Sequence, residues 1–300
     1  MKITIGSRGS DLALWQAYHV RDRLTELGAE VEIKIIKTQG DRIQHLSFDK
    51  MEGKGFFTKE IEAALLEGEI DLAVHSHKDL ETTSPQGLVI AAVSEREDPS
   101  ELILVRKESV DVNLALDFKK GAVVGTSSAR RKSQLLSIRP DIEIKDLRGN
   151  VPTRINKLRN GDYDAIMAAY AGVARLELNL DDLHVLKPNP REFIPAPAQG
   201  VLGLQVRASD QGIFDFVHQL NSKEIENRIA IERKVLRLFN GGCQLPLGVY
   251  CELNQDGYKV WSAMAEAWNA PVHRDYIESK SGEDLADEIV QRLKKKVTEK

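Results

Sequence analysis

The sequence predicts an α/β protein of two similar α/β domains joined by hinge crossings, with a small α+β domain at the C-terminal end. Three observations carry this. The chain has 300 residues, 42% hydrophobic and 29% charged, enough for two or three domains of ordinary size. Its opening stretches alternate strand and helix signals with glycine at the joints, and the same grammar returns from Ala122. Beyond about residue 215 the pattern changes again, to a long helix, short strands and a closing helix.

Taken in order, Ile3 and Ile5 alternate with polar residues, and Gly6-Ser7-Arg8-Gly9-Ser10 breaks that strand and offers Ser10 as a helix cap. Leu14, Ala17, Val20 and Leu24 give the helix an apolar stripe, Gly28 ends it, and Val31, Ile33 and Ile35 alternate in a second strand. Thr58 to Leu66 reads as a helix stopped by Gly68, Asp71 to His75 as a buried parallel strand, and Leu88 to Val93 as another. Later, Ala122-Val123-Val124 runs into Gly125-Thr126-Ser127-Ser128 and a helix, as Ile3 to Ile5 ran into Gly6 to Ser10. Gly68-Glu69-Ile70-Asp71 is likewise echoed by Gly161-Asp162-Tyr163-Asp164, each a helix stop before a buried strand. Val201 to Val206 is expected to return as a strand to the first domain. A helix over Glu224 to Phe239, strands around Gly248 to Leu253, Lys259 to Ala265 and Arg274 to Glu278, and a helix from Glu283 make the third. The expected domains are 1–95 with a return segment 196–213, 96–195, and 214–300.

The formal net charge is -4, yet residues 106–159 hold 13 Lys and Arg against 6 Asp and Glu. Four arginines there sit in runs rich in hydroxyl and glycine residues, Gly125-Thr126-Ser127-Ser128-Ala129-Arg130-Arg131 and Leu147-Arg148-Gly149-Asn150-Val151-Pro152-Thr153-Arg154. Arginine offers a planar fork of donors that matches an oxyanion bidentately, each charge-assisted bond stabilising by roughly 1.5 to 3 kcal/mol. A solvated helix face is the bland reading, and the interleaved Thr, Ser and Gly argue for a small, highly anionic ligand instead. The global excess of acid argues against broad nucleic-acid binding. No apolar run approaches the roughly 18 to 20 residues that cross a bilayer, and Met1 to Gly6 reads straight into a strand without a signal segment, so the expected location is cytoplasmic. Two cysteines, Cys243 and Cys251, are too few for a disulfide framework and match no zinc spacing.

His75-Ser76-His77-Lys78-Asp79 follows a buried strand, the edge where open α/β sheets place their ligands. Asp79 there either caps a turn or acts on a reacting group as acid, base or counter-charge to a developing cation. His75 and His77 share a strand face, but no third ligand is visible, and no metal is expected. The loop Asn240-Gly241-Gly242-Cys243-Gln244 follows the long helix, and its thiol is a nucleophile, a covalent anchor or an inert apolar residue. The negative end of a helix dipole does not help a thiol ionise, which favours an anchor among the functional readings. Cys251, inside a strand, reads as core. Lys50, Lys54 and Phe57, around Gly53 and Gly55, form either a mobile lid or an exposed loop.

Together these segments resemble the hydroxymethylbilane synthase (porphobilinogen deaminase) family over nearly the entire chain. The motifs, in order, are Arg8-Gly9-Ser10 with Leu12 to Gln16, Gly53-Lys54-Gly55, His75 to Asp79, Gly125 to Arg131, Leu147 to Val151 with Arg154, Ala171-Gly172, Gln199-Gly200 and Gly241 to Gln244. The resemblance implies two periplasmic-binding-protein-like domains and a transferase of porphyrin and heme biosynthesis. Four molecules of porphobilinogen are condensed head to tail, with loss of ammonia, onto a dipyrromethane cofactor joined by a thioether to Cys243, and hydrolysis releases the linear tetrapyrrole. It further implies that Asp79 is the catalytic carboxylate, and that Lys78, Thr126, Ser127, Ser128, Arg130, Arg131, Arg148 and Gln199 hold the cofactor. Arg8, Ser10, Gln16, Ser76, Arg148, Arg154, Gly172 and Arg175 would hold substrate, with Lys50, Lys54 and Phe57 as the lid. A monomer is implied, its product passing to the next tetrapyrrole-pathway enzyme, with no nucleic-acid or membrane partner. The chain departs from the family pattern at His77, where methionine is expected, and at Leu80-Glu81, where valine or leucine followed by proline is usual. The main rival is a two-domain binding protein without chemistry, which needs neither Asp79 nor Cys243. An RNA- or phosphate-binding protein would show strong salt dependence and no covalent adduct.

Overall fold

Strand β1 (Lys2–Ser7), helix α1 (Asp11–Glu26) and strand β2 (Glu30–Ile35) form the first βαβ unit, with β1 and β2 parallel. The computed structural model describes residues 1–38, 58–242 and 244–298. Helix α2 (Lys59–Leu66), β3 (Leu72–Ser76) and β4 (Leu88–Val93) follow, and then the chain crosses at Glu97–Asp98 into a second compact unit. There it forms β5 (Glu101–Arg106), β6 (Val123–Gly125), α3 (Ala129–Ile138), β7 (Glu143–Lys145), α4 (Val151–Arg159), β8 (Ala165–Ala169), α5 (Tyr170–Arg175) and β9 (Leu183–Leu186). It returns at Ala198–Gln199 to make β10 (Leu202–Arg207) and α6 (Gln211–His218) in the first unit. Helix α7 (Lys223–Leu238) leads to an antiparallel sheet of β11 (Leu247–Asn254), β12 (Gly257–Met264) and β13 (His273–Ser279), closed by α8 (Leu285–Thr298).

The two larger sheets are built to one plan. Among the described residues the first runs β2-β1-β3-β10-β4 and the second β7-β6-β8-β5-β9. In each, three parallel strands are followed by one antiparallel to both neighbours: β10 between β3 and β4, and β5 between β8 and β9. Each antiparallel strand is the first that the chain makes after a crossing, β5 on entering the second unit and β10 on returning to the first. The expected echo of Gly68–Asp71 in Gly161–Asp164 extends to single hydrogen bonds. Gly68 and Gly161 both have positive φ, 77° and 88°. The amide of Thr4 donates to the Asp71 carboxylate at 2.9 Å, and the amide of Val123 to that of Asp164 at 2.9 Å. Each aspartate satisfies the same donor at the start of the central parallel strand, so the similarity is physical as well as rhythmic.

Packing follows the strand period. Leu102 and Leu104 of β5 bury against Ile155 and Leu158 of α4, while Ile103 and Val105 face the opposite way, into the layer that holds Leu135 of α3. Each such side chain, fully buried, stabilises by roughly 1.5 to 3 kcal/mol. In the first unit Ile3, Ile5, Leu72 and Leu204 pack beneath Ala17, Val20 and Leu24 of α1, and Ile61 and Leu65 of α2 cover the other face. Leu14 was expected in the α1 stripe. It is half-buried, and Gln16 takes the buried place next to Ala17. The segment returning to the first unit extends past residue 213, because Phe214, Phe216, Val217 and Leu220 pack into that core, and residues through Asn227 group with it. Ile231, Val235, Val249, Cys251, Val260 and Ile289 make a separate core for the last sheet, with Cys251 buried as expected.

The residues beside each crossing are held within their own units. Gly200 has φ 91°, and a Cβ there would collide with the carbonyl oxygen of Glu97, so only glycine lets the two crossing segments lie this close. Ala198 takes φ 62°, a strained value for alanine, and its amide donates at 2.7 Å to Glu232 of α7, a fully buried carboxylate that also accepts from the amide of Cys251 at 2.8 Å.

Candidate active site

In the first unit the expected residues gather at the C-terminal edge of β1 and β3. Strand β3 ends at Ser76, and one 3-10 turn, His77–Asp79, presents the next three residues. Asp79 is exposed, and its carboxylate has no hydrogen-bond or ion-pair partner among the described residues. Lys78 donates to the buried side chain of Gln199 at 3.2 Å, and the carbonyl of Gln199 accepts from Arg96 at 2.9 Å. Gln16 reaches from α1 to the Ser76 hydroxyl at 2.9 Å. Ser10 is the N-cap of α1 by position, but its hydroxyl makes no cap bond, which leaves it for another acceptor or donor. Arg8, half-buried, stands in the β1–α1 turn. The structure thus brings Arg8, Ser10, Gln16, Ser76, Lys78, Asp79 and Gln199 to one sheet edge, where α/β sheets bind ligands.

Behind this edge lies a buried polar chain that sequence reading missed. His75 Nε2 is 3.1 Å from Gln205 Oε1, and Gln205 Nε2 donates to Glu62 Oε1 at 3.1 Å. With its nitrogen directed at Glu62, the Gln205 amide presents its oxygen to His75, so the imidazole carries its proton on Nε2. Burial pushes the His75 pKa down to about 4, against the opposing pull of the Gln205 bond. His75 is therefore neutral at pH 7 in the folded protein, whereas the unfolded chain takes up a proton near the ordinary value of about 6.5. The folded pKa being the lower, its contribution to stability is complete above about pH 6.5 and declines as pH falls toward 4. Between pH 7 and pH 5 this amounts to about 2 kcal/mol. Urea unfolding of the parent should show that loss, and His75→Gln should be less pH-dependent by about this amount; equal pH dependence in the two would clear His75.

In the second unit two turns carry the arginines, and a serine pins them together. Ser127 Oγ accepts from the amide of Leu147 at 3.0 Å and donates to the carbonyl of Leu147 at 3.0 Å, so its hydroxyl serves the backbone. The amide of Thr126 donates to the carbonyl of Lys145 at 2.9 Å, and Lys132 meets Asp146 at 2.7 Å. Ser128 caps α3, accepting from the amide of Arg131, while Thr126, buried, takes the Ser128 amide at 3.3 Å. Asn150 caps α4 by accepting from the Thr153 amide at 2.9 Å, and Pro152 fits the first turn. Gly149 has φ 113°, with Thr153 against the place a Cβ would take, and Arg154 Nε folds back to its carbonyl at 2.7 Å. Arg148 is half-buried at this turn, and Gly172 and Arg175 are buried on α5, which follows β8 at the same edge.

The arginine pair is more deeply set than its sequence suggested. Arg130 and Arg131 are 5% and 7% exposed, and both bind one carboxylate, that of Glu101, which is completely buried. Arg130 Nη2 donates to Oε1 at 2.6 Å, while Arg131 Nε and Nη2 donate to Oε2 at 3.0 and 2.6 Å. Arg130 Nη1 donates to the Ile194 carbonyl at 3.0 Å and Arg131 Nη1 to that of Met167 at 3.3 Å. Burial draws the Arg130 pKa down, and the charge of Glu101 opposes it. Each guanidinium still has N–H groups without an acceptor among the described residues, and Ser128 adds a hydroxyl. Arginine forks, a hydroxyl and a helix N-terminus form a donor set suited to several carboxylates on one small molecule.

A family model, that of the porphobilinogen deaminase dipyrromethane cofactor binding domain, matches residues 3–215, which span both five-stranded sheets. A porphobilinogen deaminase of a Nitratiruptor species is 47% identical over 254 residues, 84% of this chain and 79% of that protein. That of Campylobacter fetus subsp. fetus is 41% identical over 302 residues, 97% of this chain and 96% of the relative. The chain belongs to the porphobilinogen deaminase family. Solved structures that it resembles include a Salmonella typhimurium periplasmic binding protein with high arginine specificity, at 14% identity and a TM-score of 0.42, covering 76% of this chain and 93% of that one. The sheet order above, rather than this likeness, carries the fold.

The other residues that the porphobilinogen deaminase resemblance marked, Lys50, Lys54, Phe57 and Cys243, lie outside the described residues. Among the described residues no cluster of His, Cys, Asp and Glu could hold a metal ion, and no helix is long and apolar enough to cross a membrane. Sequence reading missed Glu101 of this deaminase, and the one available signal was an acidic residue opening the otherwise apolar run Leu102 to Val105.

Proposed function

We propose that this chain is a hydroxymethylbilane synthase, a transferase that condenses four molecules of porphobilinogen and releases the linear tetrapyrrole 1-hydroxymethylbilane. Membership of the porphobilinogen deaminase family over most of the chain is the observation that carries this reading. The donor set of the second unit fits the dipyrromethane cofactor, whose two rings carry an acetate and a propionate each. Lys78, Thr126, Ser127, Ser128, Arg130, Arg131, Arg148 and Gln199 would hold it and Cys243 would bear the thioether; for Ser127 the contribution is to fix the turn, since its hydroxyl serves Leu147. When bound, the cofactor supplies a pyrrole α-carbon as the first nucleophile and remains with the enzyme.

The chain's own residues do the rest. Arg8, Ser10, Gln16, Ser76, Arg148, Arg154, Gly172 and Arg175 bind the incoming pyrrole and orient it through its carboxylates. Porphobilinogen enters with its aminomethyl group protonated. The carbon–nitrogen bond breaks with its electrons going to nitrogen, ammonia departs, and the pyrrole nitrogen's lone pair fills the vacancy on the methylene carbon. Positive charge therefore grows on the pyrrole N–H, and Asp79 accepts a hydrogen bond there. This is stronger in the transition state than in the neutral ground state, as catalysis requires. The α-carbon of the preceding pyrrole then bonds to the methylene carbon and loses its proton. Water finally supplies the hydroxyl of the product to the methylene carbon as that carbon's bond to the primer breaks, the primer's α-carbon regaining the proton it lost. Asp79 is suited to the role because it is exposed and carries no partner among the described residues that would neutralise it.

The same reading makes the protein a cytoplasmic monomer whose product passes to the next tetrapyrrole-pathway enzyme. The expected division into 1–95 with 196–213, 96–195 and 214–300 is kept as a functional one, with its return segment lengthened through Asn227 and residues 50–57 as the lid. The test is to incubate the purified protein with porphobilinogen and follow ammonia and tetrapyrrole together. Four ammonia per tetrapyrrole are expected, and porphobilinogen bound without ammonia release would favour a binding protein instead.

A further inference from the structure

We propose that Glu101 is a positioning residue, a fixed counter-charge that holds Arg130 and Arg131 in the orientation in which they receive the carboxylates of the bound pyrroles. The inference rests on the function proposed above and adds a residue to it.

Glu101 opens β5, and its register partner is Ala169, the last residue of β8. Because β5 runs antiparallel, its first residue lies at the C-terminal edge of β8, the edge from which the β6–α3 turn also springs. Strand direction thus delivers a carboxylate to the base of α3. Arg130 and Arg131 are consecutive, and two buried guanidiniums at that spacing repel. One carboxylate oxygen on each removes the repulsion and fixes both planes. The carbonyls of Ile194 and Met167 hold a second corner of each fork. What remains directed elsewhere includes the Arg130 Nε–H, which has no acceptor among the described residues. Two guanidiniums against one carboxylate also leave the cluster positive, so an anion is still attracted.

Stability alone does not account for the arrangement. A buried ion network is often no more stable than apolar side chains of the same volume, so three charged residues inside the unit point to a use for their geometry. Glu101 contacts the arginines and would touch neither substrate nor reacting atoms, so it acts through them.

The experiment compares the parent with Glu101→Gln and Glu101→Asp. Intact mass gives the fraction carrying cofactor, and KM and kcat for porphobilinogen are measured on the loaded protein. Thermal unfolding is compared in the cofactor-free Cys243→Ser background. Glu101→Gln is expected to lower loading severalfold and raise KM about tenfold, with Cys243→Ser and Cys243→Ser/Glu101→Gln melting within a few degrees of each other, since the charge-free amide still fills the space. Glu101→Asp, which keeps the charge, should recover most of the loading. Loading and KM unchanged in Glu101→Gln would overturn the proposal. So would a lower melting temperature without rescue by Glu101→Asp, or both variants proving insoluble, which would assign Glu101 to packing. A parent protein with neither mass excess nor turnover would instead sink the function, and the positioning role with it.

Discussion

Asp79→Asn is expected to lower kcat by a factor of about a hundred to a thousand while leaving KM, cofactor content and melting temperature close to those of the parent. Asparagine keeps the size and one acceptor oxygen, so the hydrogen bond to a pyrrole N–H survives. What disappears is the full negative charge facing a cation that exists only after ammonia has begun to leave, so the loss falls on the transition state rather than on binding. Stability should not change, because Asp79 is exposed and its carboxylate has no partner among the described residues to leave stranded. Asp79→Glu restores the charge with one extra methylene and should recover part of the rate. Steady-state kinetics with intact mass on the same preparations decides the matter: near-parental kcat in a fully loaded Asp79→Asn would remove Asp79 from catalysis, and loss of loading would make it a cofactor residue.

What could be read from the sequence was what short-range chemistry determines. Ser128 announces a helix start because a cap needs only a side-chain oxygen and an amide three residues on, and the cap bond is present. Gly68 and Gly161 announce helix ends through their positive φ, and the aspartates three residues later repeat the same backbone bond. These local rules were enough to infer two similar α/β domains, and they located Asp79 just past a buried strand. What could not be read depends on partners distant in sequence. Glu101 meets Arg130 and Arg131 across 29 and 30 residues, and from either end it looks like an ordinary polar residue at a strand boundary. The extent of the return segment was hidden likewise, because Phe214 and Val217 of α6 would suit either domain until β10 places them on the first core.

The hidden part changes how the visible part works. Arg130 and Arg131, read from sequence, were two cations projecting toward a ligand. In the structure they are buried, shared by one carboxylate and tied to Ile194, a few residues before the crossing at Ala198. The Ile194 carbonyl also accepts from Gln134, whose side-chain oxygen takes the Ile194 amide at 2.8 Å. Helix α3 is therefore bolted by Arg130 and Gln134 to the connecting segment that leads out of its unit. Preorganisation of this kind reduces the ordering cost when a polyanion binds, which flexible surface arginines would incur in full.

Cys243→Ser should abolish turnover, by at least about a thousandfold, and remove from the intact mass an excess equal to a dipyrromethane. A hydroxyl is far less nucleophilic than a thiol at neutral pH and does not replace the sulfur that attacks the activated pyrrole carbon to form the thioether. Without that attachment each growing chain lacks the anchor on which successive condensations depend, so the defect is in kcat and is not rescued by more substrate. The variant should also unfold at lower temperature than the parent, by several degrees. The thioether persists on unfolding, but the cofactor's non-covalent contacts form only in the folded state and stabilise it, and here its carboxylates also answer the positive charge left over when Glu101 meets two guanidiniums. Raising salt should narrow the gap in melting temperature, because screening weakens the attraction between the cofactor's carboxylates and the net positive charge that Glu101 leaves on Arg130 and Arg131. Intact mass, a porphobilinogen assay and melting curves at low and high salt test the three consequences separately. A wild-type protein that is unmodified and fully active, or a Cys243→Ser that retains both the added mass and the rate, would place the anchor on another residue.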